Sequence, residues 1–132
     1  MPLEWKISHP ERMVEAAASG HVCLQDIESY LDDVMVSGAL PYRKLFDTSQ
    51  ASSALGDDDM MMLGARMNAY TELGPIGPLA IVAPSTTLRQ QARLFAVLAP
   101  VDRPLKIFKT AEAARKWLAA QSSGAAAQPA TM

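Results

Sequence analysis

Cysteine is almost absent from this chain. Cys23 stands alone, so no internal disulfide framework can form, and the small stapled scaffolds of secreted proteins are excluded. Strong charge of either sign is missing as well. With 12 basic and 14 acidic side chains the formal charge is −2, which argues against a nucleic-acid binder, whose surface normally carries a basic excess. The apolar run from Leu79 to Pro84 falls far short of the ~20 residues a membrane-spanning helix needs, so no membrane span is expected. The opening residues Met-Pro-Leu-Glu-Trp-Lys show no basic stretch leading into an apolar core, and a cytoplasmic location without a secretory signal is the expectation. There is no glycine-rich phosphate loop, and the histidines, His9 and His21, have no partner at metal-ligand spacing.

What remains is ordinary globular material. The 132 residues are 49% hydrophobic and 20% charged, enough for one domain with a core of its own. That domain is expected over residues 1–120. The stretch 121–132 is rich in Ser, Ala, Gly and Pro without periodicity, and is expected to be a disordered tail that can be removed without loss of fold. Charge divides unevenly: residues 1–75 hold 12 acids and 5 bases, a balance of −7, and residues 76–132 hold 2 acids and 7 bases, a balance of +5. A single domain with a dipolar surface accounts for this.

Periodicity orders the elements. Leu3 to Ile7 alternates apolar and polar residues as a half-buried strand does, and Met13 to Ala18 returns after the turn at His9–Arg12, giving an N-terminal hairpin. Leu24, Ile27, Leu31 and Val34 recur at helical spacing up to a stop at Gly38. Tyr42 to Asp47 is the next strand, followed by a polar loop over 48–53. A second helix starts near Asp57, with Met60, Leu63, Met67 and Tyr70 on its apolar face. Leu79 to Ala83 is apolar without alternation, as in a central parallel strand covered on both faces. A third helix runs over about 88–99 with Leu88, Ala92, Phe95 and Ala99 inward, and a last strand covers 105–109. Thr110 caps a final helix anchored by Ala114, Trp117 and Leu118. Trp117 is the largest apolar residue there, so its truncation is expected to cost on the order of 3–5 kcal/mol. The fold class is therefore α/β, a mostly parallel sheet with an N-terminal β-hairpin and four helices, in the order β-β-α-β-α-β-α-β-α. The alternating strands suggest helices crowded on one face, leaving Trp5, Tyr42 or Phe46, with Lys44 and Lys106, near an open one.

This element order, with the phrases Tyr42-Arg43-Lys44-Leu45-Phe46-Asp47 and Ala92-Arg93-Leu94-Phe95-Ala96, resembles the SpoIIAA-like STAS proteins over residues 1–120. These are small bacterial domains related in fold to anti-sigma-factor antagonists and, more distantly, to the lipid-binding CRAL-TRIO fold. In the regulatory members a strand ends in Asp-Ser-Ser-Gly, and the second serine is phosphorylated. Here the stretch reads Asp47-Thr48-Ser49-Gln50, with Gln50 at the glycine position, and the resemblance places the phosphosite at Ser49.

Candidate chemistry is sparse. Cys23 stands at a helix start, where a dipole can favour a thiolate, but no base is paired with it, and an inert small residue is the simpler reading. Asp57, Asp58 and Asp59 point in different directions on a helix, so they serve its first turn rather than a metal. Met61 and Met62 fall off the core face, where they can offer a pliable patch to a partner or lipid. In parallel sheets ligands gather beyond the carboxyl ends of the strands. Asp47, Thr48, Ser49, Ser85, Thr86 and Thr110 lie there, forming a candidate anion or ligand site beside helix N-termini. No catalytic residue, metal or cofactor is implied. The expected function is non-enzymatic: a regulatory module acting through protein–protein interaction, with a homodimer among the expected partners. The alternative is a carrier of a small apolar or lipid-like ligand.

Overall fold

The N-terminal alternation builds a hairpin. Leu3–Ser8 forms β1 and Met13–Gly20 forms β2, antiparallel to it, with Leu3 opposite Ala18 and Ser8 opposite Met13. Arg12 turns the chain with a positive φ of 52°. Three further strands, β3 (Arg43–Ala51), β4 (Leu79–Val82) and β5 (Leu105–Phe108), join in parallel, and the sheet order is β1-β2-β3-β4-β5. The connections are helical: α1 (Leu24–Val36), α2 (Asp57–Tyr70) and α3 (Thr86–Leu98), with α4 (Ala111–Ala119) after the last strand. The computed structural model describes residues 2–52, 55–98 and 103–121. The tail expected over 122–132 and the inward Ala99 lie outside the described residues.

The helix starts follow local chemistry. The Asp26 carboxylate accepts the backbone N–H of Cys23 at 2.9 Å and closes the first turn of α1. Asp59 does the same for Gly56 at 3.1 Å, which gives one of the three successive aspartates a structural task in α2. The Ser85 hydroxyl accepts from Leu88 N at the start of α3, and the Thr110 hydroxyl accepts from Ala113 N at the start of α4.

Strand alternation sorts the core into two layers. Val14, Ala16 and Ala18 of β2 face α1 and α2 together with Leu3 of β1, and they share one core cluster with Tyr30, Leu31, Val34, Met60, Leu63 and Met67. Leu79 and Ile81 of β4 pack with Ala92 of α3 on the same side. On the other face Leu45, Ala80 and Val82 meet Ala114 and Leu118 of α4. A buried aliphatic side chain contributes about 1.5–3 kcal/mol, so both faces of β3 and β4 are committed to the core.

Two expectations are corrected here. The polar stretch 48–53 was expected to be loop, but β3 runs on to Ala51, pairing Gln50 with Ser19 and Ala51 with Gly20. Its ladder partners exist because β2 also extends to Gly20, and the polar side chains accommodate an exposed strand end. The register slips by one residue between Ala17 and Ser19, a bulge opposite Thr48 and Ser49. The second correction concerns the open face. Helix α4 covers β3, β4 and β5, so what stays open on that side is the hairpin, with Glu4, Lys6 and Ala17 exposed. Trp5, Tyr42, Phe46 and Lys44 instead point toward α1–α3, into or beside the main core. Period-2 alternation separates the two faces of a strand but does not say which face the helices will cover.

Candidate functional site

The layer between the sheet and helices α1, α2 and α3 is not filled. A cavity of about 140 Å³ lies there, walled by Phe46, Ile81, Leu63, Met67, Ala92 and Phe95 and their neighbours. It follows β3 from Lys44 at the start of the strand to Thr48 and Ala51 near its end, and Lys44 to Thr48 is a span of about 13 Å. A dry cavity of this volume with aliphatic and aromatic walls holds a molecule the size of benzene.

The walls are apolar, yet one end is cationic. Lys44 is 4% exposed and Arg103 is 8% exposed, and both line the cavity. Lys44 Nζ donates to the carbonyl oxygens of Leu40 and, at 2.7 Å, Tyr42. Arg103 Nε donates to Gly77 O at 2.9 Å, and Nη1 approaches Met67 Sδ at 3.6 Å. No carboxylate among the described residues is hydrogen-bonded to either group. Burial drives both groups down. Lys44 falls well below its ordinary value, helped by the neighbouring Arg103 charge, and Arg103 is pushed down to about 10.

Glycine makes this floor possible. Gly77 N donates to Leu40 O at 2.8 Å, and its α-carbon lies so close to the carbonyls of Pro41 and Tyr42 that a Cβ could not be placed there. The segment before β4 therefore seals against the segment before β3. Lys44 and Arg103 bond to carbonyls of these two segments.

Tyr30 completes the site from α1. It is 3% exposed, lines the cavity, and stands edge-on to Trp5 and Phe46 at 5.5 and 5.7 Å. Its hydroxyl is buried and finds no hydrogen-bond partner among the described residues. Burial pushes the phenol up, and the Arg103 charge opposes this.

The residues singled out from sequence are placed elsewhere. Alternation on β3 sends Asp47 toward the α4 face, while Thr48 lines the cavity and donates to Val82 O at 2.6 Å. Ser49 is exposed on the bulged end of β3, with its N–H bonded to Asp47 Oδ1 at 2.8 Å. Ser85 and Thr110 cap their own helices, and Thr86 is exposed in the first turn of α3. Of the six, only Thr48 reaches the cavity. His9 Nδ1 is hydrogen-bonded to the Tyr42 hydroxyl at 2.7 Å, and the exposed Cys23 thiol donates to Asp26 at 3.3 Å. Met61 and Met62 are exposed on α2.

One solved structure with the same arrangement is an uncharacterized protein of the DUF3478 family from Shewanella loihica PV-4, described as having a SpoIIAA-like fold. It superposes with a TM-score of 0.58 at 18% identity, over 88% of this chain and 91% of that one. The fold is SpoIIAA-like. No family profile matches the sequence, and no curated protein does. The fold does not itself carry a function, so the site must.

Lys44, Arg103 and Tyr30 were not singled out by sequence reasoning as functional. A signal did exist for two of them: Lys44 interrupts the apolar face formed by Tyr42 and Phe46, and Tyr30 sits beside Leu31 on the inward face of α1. Arg103, in an irregular stretch ahead of Pro104, had none.

Proposed function

We propose that this SpoIIAA-like domain is a binding module that takes a small apolar molecule into the cavity between its sheet and α1–α3. The cavity carries the reading. Its walls come from three helices and three strands, and filling it would recover contacts that close packing normally supplies. The reading is non-enzymatic. Cys23 is bonded to Asp26 at the exposed start of α1 and His9 to the Tyr42 hydroxyl, and neither Cys23 nor His9 lines the cavity. The test is a titration with hexanol, a neutral probe, followed by methyl NMR. Signals of Met60, Met67 and Leu63 should shift together and saturate. Shifts confined to exposed Met61 and Met62, or none at all, would refute internal binding.

A second reading, a module that works through protein–protein contact, is favoured by exposed Met61 and Met62 on α2 and by Val97 on α3, 77% exposed. In this reading the acidic and basic halves help a second copy or another protein to dock. Sedimentation of the untagged protein at micromolar concentration, in low and moderate salt, tests the homodimer. A monomer mass in both removes it.

A further inference from the structure

We infer that the ligand of this cavity is a small organic acid, its carboxylate held by Arg103 and Lys44 with the Tyr30 hydroxyl, and its apolar body lying along β3 toward Thr48. This rests on the cavity reading and adds the chemical class of the occupant.

Donors with spare capacity gather at one end of the cavity. A guanidinium has five N–H groups, and the bonds given to Arg103 engage Nε and, weakly through sulfur, Nη1. Its Nη2 amino group has no acceptor among the described residues. Lys44, when protonated, has a third N–H beyond its two carbonyl bonds. Tyr30 brings a buried hydroxyl with no partner. Three polar groups with spare capacity thus line one cavity whose other walls are almost entirely apolar.

Charge then selects the ligand. Buried charges are normally paired, because an unpaired one costs far more than a neutral polar group. Arg103 is a cation with no carboxylate bonded to it among the described residues, and the Lys44 amine beside it gains its proton most readily when a negative charge is near, so the pair leaves a place that an anion completes. Arg103 keeps its charge at neutral pH, since burial takes it down only to about 10. Its planar fork suits the two oxygens of a carboxylate, and the phenol can donate a further bond. The size of the cavity limits the acid to one with a body of about six carbons or a single ring. The charged end lies at the start of the parallel strands rather than beyond their carboxyl ends, so it is distinct from the hydroxyl cluster of Ser85, Thr86 and Thr110.

Hexanoate and hexanol, matched in chain length, separate the two claims. Hexanoate is expected to bind the wild-type protein at least 10-fold more tightly than hexanol at neutral pH, with shifts at the same cavity methyl groups. In Lys44→Met and in Arg103→Met the preference should collapse to within about 2-fold while hexanol binding persists. Equal affinities in the wild type would overturn the acid and leave the cavity reading standing. Binding of neither probe would overturn both. A hexanoate preference that survives in Lys44→Met would place the carboxylate elsewhere and also overturn the assignment, even if Arg103→Met fails to fold.

Discussion

Replacing Lys44 by methionine should stabilise the empty protein, and the structure sets the size of the gain. Lys44 is 4% exposed, among apolar walls, and its ordinary pKa is 10.5. In the unfolded chain at pH 7 the amine is protonated and solvated. Folding obliges it to keep that charge in poor solvent or to release the proton. Either course costs stability, since burial and the Arg103 charge hold the folded amine well below its ordinary value. Two hydrogen bonds to carbonyls offset about 1 kcal/mol each. In the variant Leu40 O keeps Gly77 N as a donor, but Tyr42 O loses its lysine donor. Methionine fills most of the space of the lysine stem, so no large void opens. The net expectation is a gain of about 1–3 kcal/mol, read as a rise of roughly 3–9 °C in Tm. Thermal and urea unfolding of the ligand-free protein at pH 7 measures it. A variant no more stable than wild type would mean that the ammonium braces the segment before β3 more than its burial costs, and the reasoning about an uncompensated cation would fail.

The same group predicts a pH profile. Because the folded pKa of Lys44 is depressed, the native state holds its proton less tightly than the unfolded chain does, so wild-type stability should climb as pH rises from neutral toward the ordinary lysine value of 10.5. Over that range the Lys44→Met advantage should shrink to about 1 kcal/mol or less, and a gain independent of pH would contradict this. Above about pH 10 the trend reverses, since buried Tyr30 resists ionising while the unfolded phenol does not. On the acid side Glu15, held down by its hydrogen bond from Arg115, and Asp26, held down by the Cys23 N–H, stabilise above the ordinary carboxylate range. That stabilisation is lost as pH falls through their folded values, which denaturation at pH 2–5 would follow. For α4, Leu118→Ala should cost about 2–5 kcal/mol and Trp117→Ala less, because Leu118 is 1% exposed against the sheet while Trp117 is half-buried beside Phe108. Urea midpoints that rank the two the other way would restore Trp117 as the anchor expected from its size.

Much of this protein follows from local pattern. The alternation of Leu3 to Ile7, the helical recurrence of Leu24, Ile27, Leu31 and Val34, and the unbroken apolar run from Leu79 each fix an element's type. Side-chain period is a property of the chain itself. Element order then restricts the sheet to a mostly parallel one, and the observed order obeys. What sequence could not assign is the side of the sheet to which each face turns. That depends on where α4 settles, and α4 sits against Leu45, Ala80 and Val82, leaving Lys44 and Phe46 to α1–α3. The extension of β3 through Thr48 and Ser49 likewise needed a partner strand that reached Gly20. The cationic floor was least legible of all. Lys44, Arg103 and Tyr30 are far apart in the chain and belong to no motif. Closure of the segment before β4 against the one before β3, at a glycine with no room for a side chain, supplies the carbonyls that hold Lys44 and Arg103, and the packing of α1 adds Tyr30 to the same cavity.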